Sequence, residues 1–338
     1  MNISEHISLK NYNSFGIEAS ARYFASFRSG EELLAIIQSL PVTNRLIVGE
    51  GTNILLAGNF DGLVCRNEVE GITELHEDMD YVYVRAGAGI HWHSFVRYCI
   101  DRGWAGLENL SLIPGTVGAA PIQNIGAYGV EMQDCFWSLE ALHLNEGQVQ
   151  TFTAGDCEFG YRDSVFKRKY RGQFAILNVT FRLRKKPVFH ISYGALPKEL
   201  EKMGVKELSI DAVSQAVMNI RRSKLPDPAQ IGNAGSFFKN PMIDAARFEN
   251  LKSLYPGIAA FPLADGHVKL AAAWLIEQCG WKGYREGDAG CHEKQALVLV
   301  NYGKATGREI VDLSRRIRES VQKKFDVTLE TEVNIIGA

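Results

Sequence analysis

The sequence predicts an α+β protein with two or three domains. The chain has 338 residues, more than a single hydrophobic core usually serves. Three short strands are predicted in succession at residues 62–66, 72–76 and 81–86, which favours small mixed sheets over one parallel sheet. A hairpin is also predicted, from strands at 136–144 and 149–152 that flank Asn145-Glu146-Gly147.

The first elements along the chain are a strand at 22–27, a helix at 31–40 and a strand at 45–48. The second strand runs directly into the turn Gly49-Glu50-Gly51-Thr52-Asn53. Ile54 stands where a Rossmann fingerprint needs its third glycine, and no G-x-x-x-x-G-K-[ST] motif occurs. The two best-known nucleotide-binding folds are therefore disfavoured. The turn is either a polar nest that holds a pyrophosphate or a plain turn.

A helix carrying Trp92 and Cys99 precedes residues 113–129, which we call the cradle. The cradle holds four glycines and two prolines without an apolar period of 2 or 3.6, so neither helix nor strand is predicted there. Its other residues are mostly Ala, Val, Ile and Tyr, which suit a large, flat, partly apolar ligand. Its glycines would let main-chain N–H groups approach that ligand. The alternative is an ordinary Gly/Pro loop packed on the core.

The elements after the hairpin are predicted from apolar spacing and capping residues. We expect a flexible loop around Tyr193, a helix capped by Asp211, and a closing strand that places Glu330 and Glu332 on one face. The other predicted elements are a strand at 174–184, a helix at 269–278, a buried strand at 296–300 and a helix opened by the capping box Thr306-x-x-Glu309.

Composition points to a small-molecule partner. The chain is 46 % apolar and 22 % charged with a formal net charge of −2, so no basic excess suggests nucleic acid. Six cysteines without a Cys-x-x-Cys pair predict reduced thiols, and His91 and His93 lack a third partner at metal-ligand spacing. The sequence shows no signal peptide and no run of 18 apolar residues, so we expect a cytoplasmic protein without a membrane segment.

Three later motifs could carry chemistry. Arg162, in Gly160-Tyr161-Arg162-Asp163-Ser164, either grips an anion or lies solvated on the surface. The cations in Arg221-Arg222-Ser223-Lys224 suit either the end of a helix or a diphosphate. Ser236 lies in a second glycine-rich turn, at 232–241, but not in a G-x-S-x-G elbow. It therefore does not resemble an acyl-transfer nucleophile, and its hydroxyl could instead donate a proton.

These motifs, taken in order, resemble the UDP-N-acetylenolpyruvoylglucosamine reductase (UDP-N-acetylmuramate dehydrogenase) family, type I. The resemblance spans nearly the whole chain, and several motifs in the same order are more specific than any one of them. The residues that carry it are Gly49-Glu50-Gly51-Thr52-Asn53, Ile113-Pro114-Gly115-Thr116-Val117-Gly118, Asn124-Ile125-Gly126-Ala127-Tyr128-Gly129, Gly160-Tyr161-Arg162-Asp163-Ser164, Gly235-Ser236-Phe237-Phe238-Lys239-Asn240-Pro241 and Glu332.

The resemblance implies a two-subdomain FAD-binding unit of the vanillyl-alcohol-oxidase (PCMH) type followed by a C-terminal α+β substrate-binding domain. The expected boundaries are 1–70 and 71–218 for the two FAD-binding subdomains, the second including the Tyr193 loop, and 219–338 for the substrate-binding domain. Members of the wider superfamily that attach FAD covalently often carry His in the first glycine loop. Here that loop has Thr52-Asn53, consistent with FAD held non-covalently.

The activity implied by the resemblance is the NADPH-dependent reduction of UDP-N-acetylglucosamine enolpyruvate to UDP-N-acetylmuramate, a step of bacterial peptidoglycan precursor synthesis. Hydride passes from the flavin N5 to the vinyl methylene carbon, and an enolate then forms. By resemblance Arg162 and Glu332 polarise the enolpyruvyl carboxylate and Ser236 protonates the enolate, which needs donors and a proton from a fixed direction.

The resemblance also assigns binding residues. Those expected to hold FAD are Gly49, Glu50, Gly51, Thr52, Asn53, Ile113, Pro114, Gly115, Thr116, Gly118, Ala119, Asn124, Ile125, Gly126 and Tyr128. Those expected to hold the UDP-sugar are Tyr161, Tyr193, Lys224, Asn240 and Gln295. One departure from the family pattern is Asn334, where many members have Arg.

Two other functions remain open at this point. The first is an FAD-dependent alcohol or lactone oxidase or dehydrogenase of the same fold, which would not need contacts to a uridine diphosphate. The second is a flavin- or nucleotide-binding module without catalysis, which would leave Arg162, Ser236 and Glu332 unexplained as a set. The expected partners are the enolpyruvyl UDP-sugar and NADPH, with no metal and no nucleic acid, and the expected state is a monomer.

Overall fold

The computed structural model describes residues 2–263 and 265–337. These residues form two compact units that interleave along the chain. Unit 1 comprises residues 1–7, 21–50 and 61–223, and unit 2 comprises residues 8–20, 51–60 and 224–338. The domain boundaries expected after residues 70 and 218 stay predictions.

Helices and strands alternate irregularly along both units. The α-helices are α1 (Gly30–Ser39), α2 (Trp92–Ile100), α3 (Ala154–Cys157), α4 (Leu196–Lys202), α5 (Ile210–Lys224), α6 (Ala245–Leu254), α7 (Ala272–Gln278) and α8 (Gly307–Phe325). The strands are β1 (Ile3–Ser8), β2 (Ser20–Phe27), β3 (Arg45–Val48), β4 (Ile54–Leu56), β5 (Phe60–Asn67), β6 (Ile72–Glu77), β7 (Tyr81–Gly87), β8 (Gly126–Ala127), β9 (Val130–Glu131), β10 (Phe136–His143), β11 (Val149–Thr153), β12 (Phe174–Arg184), β13 (Gly232–Ser236), β14 (Met242–Asp244), β15 (Ala260–Pro262), β16 (His267–Leu270), β17 (Arg285–Glu286), β18 (Ala289–Cys291), β19 (Val298–Asn301) and β20 (Asn334–Ile336).

Unit 1 contains a four-stranded sheet, β1-β2-β5-β3, and a five-stranded sheet, β11-β10-β12-β7-β6. The five-stranded sheet is antiparallel throughout, and its inner face packs on helix α2. Trp92, Phe95 and Phe181 form the centre of this core, with the Phe95 and Phe181 ring centroids 4.9 Å apart. Because Trp92 is the first residue of α2, this packing fixes the helix N-terminus, beside which the cradle lies.

Unit 2 contains the sheets β13-β19-β18-β17 and β14-β16-β15 and the parallel pair β20-β4. Helix α8 begins at the predicted capping box, in which the Thr306 hydroxyl accepts from the Glu309 N–H and the Glu309 carboxylate accepts from the Thr306 N–H. Its buried stripe includes Ile310, Leu313 and Ile317, the 3.6-residue period expected of a helix that covers a sheet.

The structure confirms the α+β class and most of the predicted elements. The predicted strands at 22–27, 45–48, 62–66, 72–76, 81–86 and 174–184 lie within observed strands, and the hairpin is formed by β10 and β11. Alternation and turn chemistry are local signals, so they identify these elements without tertiary information. All six cysteines are free thiols. Among the described residues, no helix is long and apolar enough to cross a membrane, and no group of His, Cys, Asp and Glu could hold a metal ion.

Two predicted helix starts are wrong. Helix α5 begins at Ile210, and the side chain that caps it belongs to Ser209, whose hydroxyl accepts from the Ala212 N–H at 3.1 Å. Asp211 instead forms an ion pair with Arg97, with 2.6 Å between Asp211 Oδ1 and Arg97 Nη1. The helix predicted at 269–278 begins only at residue 272, because residues 267–270 pair as β16 between two other strands.

The predicted closing strand at 329–333 is also wrong. Thr331 forms a single isolated bridge with Phe238, and regular pairing begins only at Asn334. Glu330 lies exposed and pairs with Lys239, whereas Glu332 is half-buried.

The cradle differs in detail from its prediction as a segment without helix or strand. It forms two 3₁₀ turns, at Val117–Ala119 and Pro121–Gln123, and includes the two-residue strand β8.

Glu108 in unit 1 carries a carboxyl group with almost no exposure, 2 % of its surface. Its Oε2 accepts from the Gly106 N–H at 2.7 Å. Burial raises the pKa of Glu108, and the backbone hydrogen bond only partly offsets that effect. A carboxyl group whose pKa is raised in the folded state stabilises that state below the unfolded-state pKa and loses this contribution as pH rises through the folded-state pKa.

We therefore expect Glu108→Gln to be as stable as the wild type at about pH 4 and more stable near neutral pH. Gln keeps an oxygen acceptor for the Gly106 N–H and carries no charge. Urea unfolding at both pH values measures the difference, with the exposed substitution Glu74→Gln as the control that leaves it unchanged. A gap between wild type and Glu108→Gln that is the same at both pH values would contradict this expectation.

Candidate active site

The cradle in unit 1 is bonded to the start of helix α2. The Trp92 N–H donates to the Gly115 carbonyl at 2.8 Å, and the Trp92 indole N–H donates to the Leu110 carbonyl at 2.9 Å. His93 Nδ1 accepts from the Leu112 N–H at 2.9 Å. Burial lowers the pKa of His93, which favours the neutral ring that this acceptor role requires. His93 is thus a structural residue that sets the position of the cradle.

The first glycine turn reaches the cradle through Glu50. Glu50 Oε2 accepts from the Gly115 N–H at 3.2 Å and lies 3.7 Å from His91 Nε2. Gly49 packs against Thr116, and a Cβ at Gly49 would lie 2.5 Å from the Thr116 hydroxyl. The predicted cofactor-binding residues of these two segments therefore contact one another within unit 1.

Several N–H groups of the cradle are already engaged by protein acceptors. These groups belong to Gly115, Val117, Gly118, Ala119 and Ala120. A ligand at the cradle would therefore meet mainly its side chains. Those that are half-buried and packed on the core from one side are Ile113, Ile122, Ile125 and Ala127. This apolar strip fits a flat heteroaromatic ring such as that of a flavin.

Left-handed backbone conformations are concentrated at this site. Among the described residues, seven other than glycine have a positive φ, and four of them are Leu112, Asn124, Tyr128 and Arg162. Such conformations typically cost about 1–3 kcal/mol each and persist where the surrounding structure enforces them. Asn124 is held by two hydrogen bonds from its Nδ2, to Glu131 Oε2 at 2.8 Å and to the Gly160 carbonyl at 3.1 Å.

Arg162 lies within the turn that joins Gly160 and Asp163, and its side chain is bonded to the cradle. The Arg162 guanidinium donates to the Gly126 carbonyl and lies 5.2 Å from the centroid of the Tyr161 ring. A Cβ at Gly126 would come within 2.9 Å of Arg162 Nη1, so a side chain at this position would displace the guanidinium. Arg162 is half-buried. It therefore presents a fixed cation rather than a freely solvated one.

Arg221 is a second cation near the cradle. Its Nε donates to the Leu112 carbonyl at 3.1 Å. Burial lowers the pKa of Arg221, and the neighbouring Arg162 charge acts in the same direction. The Tyr128 phenol lies beside it, and burial raises the pKa of Tyr128 although Arg221 opposes that shift. The next residue, Arg222, is exposed. Of the two arginines at the end of α5, Arg221 is thus the one that reaches the cradle.

Tyr193 lies at the edge of the cradle. Its side chain is 40 % exposed, and a Cβ at Gly129 would lie 3.4 Å from Tyr193 Cβ. The segment before helix α4 that carries Tyr193 has no regular secondary structure. The structure therefore brings Tyr193, Tyr128 and Arg162 together with the cradle within unit 1.

Ser236 in unit 2 is the last residue of β13 and is followed by Phe237, whose backbone has two partners. On one side Ser236 pairs with Val298 of β19, and the Phe237 N–H donates to the Leu297 carbonyl at 2.8 Å. On the other side the Phe237 carbonyl accepts from the Glu332 N–H at 2.9 Å. Ser236 is half-buried, and Phe237 is fully buried beneath it. The backbone therefore brings two predicted catalytic residues, Ser236 and Glu332, into neighbouring segments.

The Gly51-Thr52-Asn53 turn is also bonded to the Glu332 segment. Asn53 Nδ2 donates to the Glu332 carbonyl at 3.4 Å. Gly51 has a φ of +65°, and a Cβ there would lie 2.1 Å from the Tyr12 carbonyl oxygen, so this position requires glycine. Unit 2 thus gathers Asn53, Ser236 and Glu332 from three distant parts of the chain.

The predicted substrate-binding residues of unit 2 differ in their surroundings. Asn240 Oδ1 accepts from the Ala272 N–H at 2.9 Å, which caps α7 and leaves the side-chain amide nitrogen as its donor group. Gln295 begins the turn into β19, where its carbonyl accepts from the Val298 N–H at 3.0 Å. Lys224 is exposed at the end of α5.

Comparisons with known proteins bear on both parts of the chain. A family model described as an FAD binding domain matches residues 21–153, and one described as UDP-N-acetylenolpyruvoylglucosamine reductase, C-terminal domain, matches residues 227–336. The UDP-N-acetylenolpyruvoylglucosamine reductase of Amoebophilus asiaticus is 52 % identical over 99 % of this chain and 100 % of its own length. That of Pseudomonas putida is 49 % identical over 98 % of each chain.

The chain belongs to the UDP-N-acetylenolpyruvoylglucosamine reductase family. A crystal structure of UDP-N-acetylenolpyruvylglucosamine reductase from Thermus caldophilus is similar in fold, with a TM-score of 0.70, 23 % sequence identity and 99 % coverage of both chains. The predicted fold class is therefore confirmed as an FAD-binding part followed by the C-terminal domain of this family.

Sequence reasoning missed several residues that shape the site. Arg221 was not separated from Arg222, Glu131 was not connected with Asn124, and the contact between Asn334 and Asn53 was not foreseen. The positions of these side chains depend on tertiary contacts that no local pattern reports. For Arg221 a signal existed, since the helical period places it and Val217 four residues apart on one face, and Val217 is buried.

We expect Glu50→Ala to weaken FAD binding by about tenfold, because a hydrogen bond to a charged group is worth roughly 1.5 kcal/mol at its lower bound and Glu50 is about one-third exposed. Glu50→Gln, which keeps an oxygen acceptor for the Gly115 N–H, should retain most of the affinity. Titration of apoprotein with FAD gives both dissociation constants, with Glu74→Ala as the exposed control. An unchanged dissociation constant for Glu50→Ala would remove Glu50 from the cofactor site.

Proposed function

We propose that this chain carries out the family's reaction with Arg162, Glu332 and Ser236 as its catalytic residues. As a member of the family, the chain is an NADPH-dependent flavoprotein that reduces UDP-N-acetylglucosamine enolpyruvate to UDP-N-acetylmuramate in peptidoglycan precursor synthesis. When bound, FAD would supply the two-electron chemistry that couples NADPH oxidation to reduction of the substrate. The main support for the proposal is the hydrogen bond from the Glu332 N–H to the Phe237 carbonyl, which joins the segments that contain Ser236 and Glu332.

Binding of FAD is assigned to the cradle and the first glycine turn. The half-buried apolar strip of the cradle suits the ring, and the Glu50 carboxylate holds the Gly115 end of the cradle in place. Thr52 and Asn53 contain no histidine imidazole for covalent attachment, so the flavin is held non-covalently in this proposal.

Polarisation of the enolpyruvyl carboxylate is assigned to Arg162 and Glu332. The Arg162 cation is held by the Gly126 carbonyl and the Tyr161 ring, so little reorganisation is needed when negative charge develops on the substrate. Preorganised charge of this kind is usually a large part of catalysis. Glu332 is held by its backbone bond to Phe237 and supplies the second polar group at the carboxylate.

Protonation of the enolate is assigned to Ser236. A serine hydroxyl is a weak acid toward water but an adequate one toward an enolate, which is much more basic. Ser236 ends strand β13, and the next residue, Phe237, is bonded through both its N–H and its carbonyl, which fixes the backbone from which the hydroxyl would act.

The UDP-sugar is assigned to Tyr161, Tyr193, Lys224, Asn240 and Gln295. Asn240 uses its carbonyl oxygen to cap α7 and so presents N–H donors to a ligand. Lys224 is exposed and cationic, and Tyr193 is partly exposed beside Gly129. Donors and a cation suit a diphosphate. The chain acts as a monomer in the cytoplasm in this proposal, where UDP-sugars and NADPH are found.

Substitution of Ser236 separates the two half-reactions. Ser236→Ala removes one oxygen and no packing group, so the half-reaction with NADPH should stay near the wild-type rate. The half-reaction with the enolpyruvyl substrate should slow by about 10²- to 10⁴-fold, the usual contribution of a general acid. Rapid mixing measures each step alone, and Ser236→Cys should recover part of the rate by restoring a donor.

Equal slowing of both half-reactions in Ser236→Ala would contradict this assignment. The serine would then position a group that both steps share, and the proton would come from another donor, with Lys239 or an ordered water the next candidate.

A further inference from the structure

Asn334 forms a double hydrogen bond with the first glycine turn inside unit 2. It is the first residue of β20 and pairs in parallel with Ile54 of β4. The Asn334 N–H donates to the Asn53 carbonyl at 3.0 Å, and Asn334 Nδ2 donates to the same oxygen at 3.1 Å. One carbonyl oxygen has two lone pairs and can accept both bonds. The side chain thus adds a second bond to one that the strand pairing already makes.

A third hydrogen bond runs in the opposite direction. Asn53 Nδ2 donates to the Glu332 carbonyl at 3.4 Å, two residues before Asn334. Residues 53, 332 and 334 are therefore joined by three hydrogen bonds, which we call the amide clasp. Its two side chains are both neutral amides, so the clasp adds no charge beside the Glu332 carboxylate.

The clasp adds a second set of bonds to the Glu332 segment. In the first set, the Glu332 N–H donates to the Phe237 carbonyl and the Lys239 N–H donates to the Glu330 carbonyl, each at 2.9 Å. The Gly51 carbonyl in turn accepts from the Ser14 N–H at 3.1 Å, and the Gly51 backbone fits against Tyr12 so closely that a Cβ is excluded. The turn that carries Asn53 is therefore held at Gly51, two residues before it.

We propose that Asn334 is a positioning residue that sets the place of Glu332 relative to Ser236 through the amide clasp. The proposal rests on the catalytic role proposed for Glu332. The bonds to residues 237–239 hold residues 330–332 and do not extend past Glu332. The three bonds of the clasp hold residues 332 and 334 to Asn53, and Asn334 Nδ2 supplies one of them. A misplacement of about 1 Å in a reacting group can cost as much as 10²-fold in rate.

The test compares Asn334→Ala with Ile335→Val, a change in the next residue of the same strand that leaves the clasp intact. In Asn334→Ala, the half-reaction with NADPH should stay within about twofold of wild type and the half-reaction with the enolpyruvyl substrate should slow by about 10- to 100-fold. Ile335→Val should leave both near wild type. Hydrogen exchange of peptides covering residues 50–56 and 330–336 in the holoenzyme should be faster in Asn334→Ala and unchanged in Ile335→Val.

A double-mutant cycle with Glu332→Gln tests whether Asn334 acts through Glu332. Once the carboxylate is absent, Asn334→Ala should cost less than about threefold in the substrate half-reaction. The proposal would be overturned if Asn334→Ala slowed the substrate half-reaction as much in the Glu332→Gln background as in the wild type. It would also be overturned if Glu332→Gln slowed this half-reaction while Asn334→Ala alone left it at the wild-type rate. If Glu332→Gln itself runs at the wild-type rate, the catalytic role of Glu332 fails and the positioning role of Asn334 falls with it.

Discussion

The backbone hydrogen bond from the Glu332 N–H to the Phe237 carbonyl is the constraint on which the proposed chemistry depends. It joins the last strand region of the chain to the glycine-rich turn that carries Ser236. Glu332 lies outside any regular strand, and its segment is held by the single bridge between Thr331 and Phe238 and the two backbone bonds that flank it rather than by a longer ladder. A carboxylate that must act on one substrate atom gains precision from such bonds, because backbone atoms move less than long side chains do.

In unit 1, backbone strain is concentrated at the cradle and at Arg162 beside it. Asn124, Tyr128 and Arg162 adopt left-handed conformations that together cost several kcal/mol, at about 1–3 kcal/mol each. The structure holds them there by packing and by bonds such as that from Asn124 to Glu131. The stability lost at the cradle is offset by the aromatic core behind it, in which Trp92 both packs and donates to Leu110. The shape of the cradle is thus maintained by the core behind it.

Local signals in the sequence predicted much of the fold. Strand β12 was predicted because its residues alternate, the hairpin of β10 and β11 because the turn Asn145-Glu146-Gly147 joins them, and helix α8 because Thr306 and Glu309 form a capping box. The prediction failed at positions where tertiary contacts determine the local structure. Asp211 has the chemistry of a cap, but its carboxylate pairs with Arg97. Residues 329–333 alternate in sequence but form only a single bridge, from Thr331 to Phe238. The candidate site was predicted by its resemblance to a family. The amide clasp of Asn334 was not, since a lone Asn carries no local pattern.

The most direct test of the function is an anaerobic titration of the FAD-loaded protein. NADPH should bleach the flavin absorbance near 450 nm, and UDP-N-acetylglucosamine enolpyruvate should restore it stoichiometrically in the absence of oxygen. Recovery only on admitting air would contradict the function described here and favour an oxidase of the same fold.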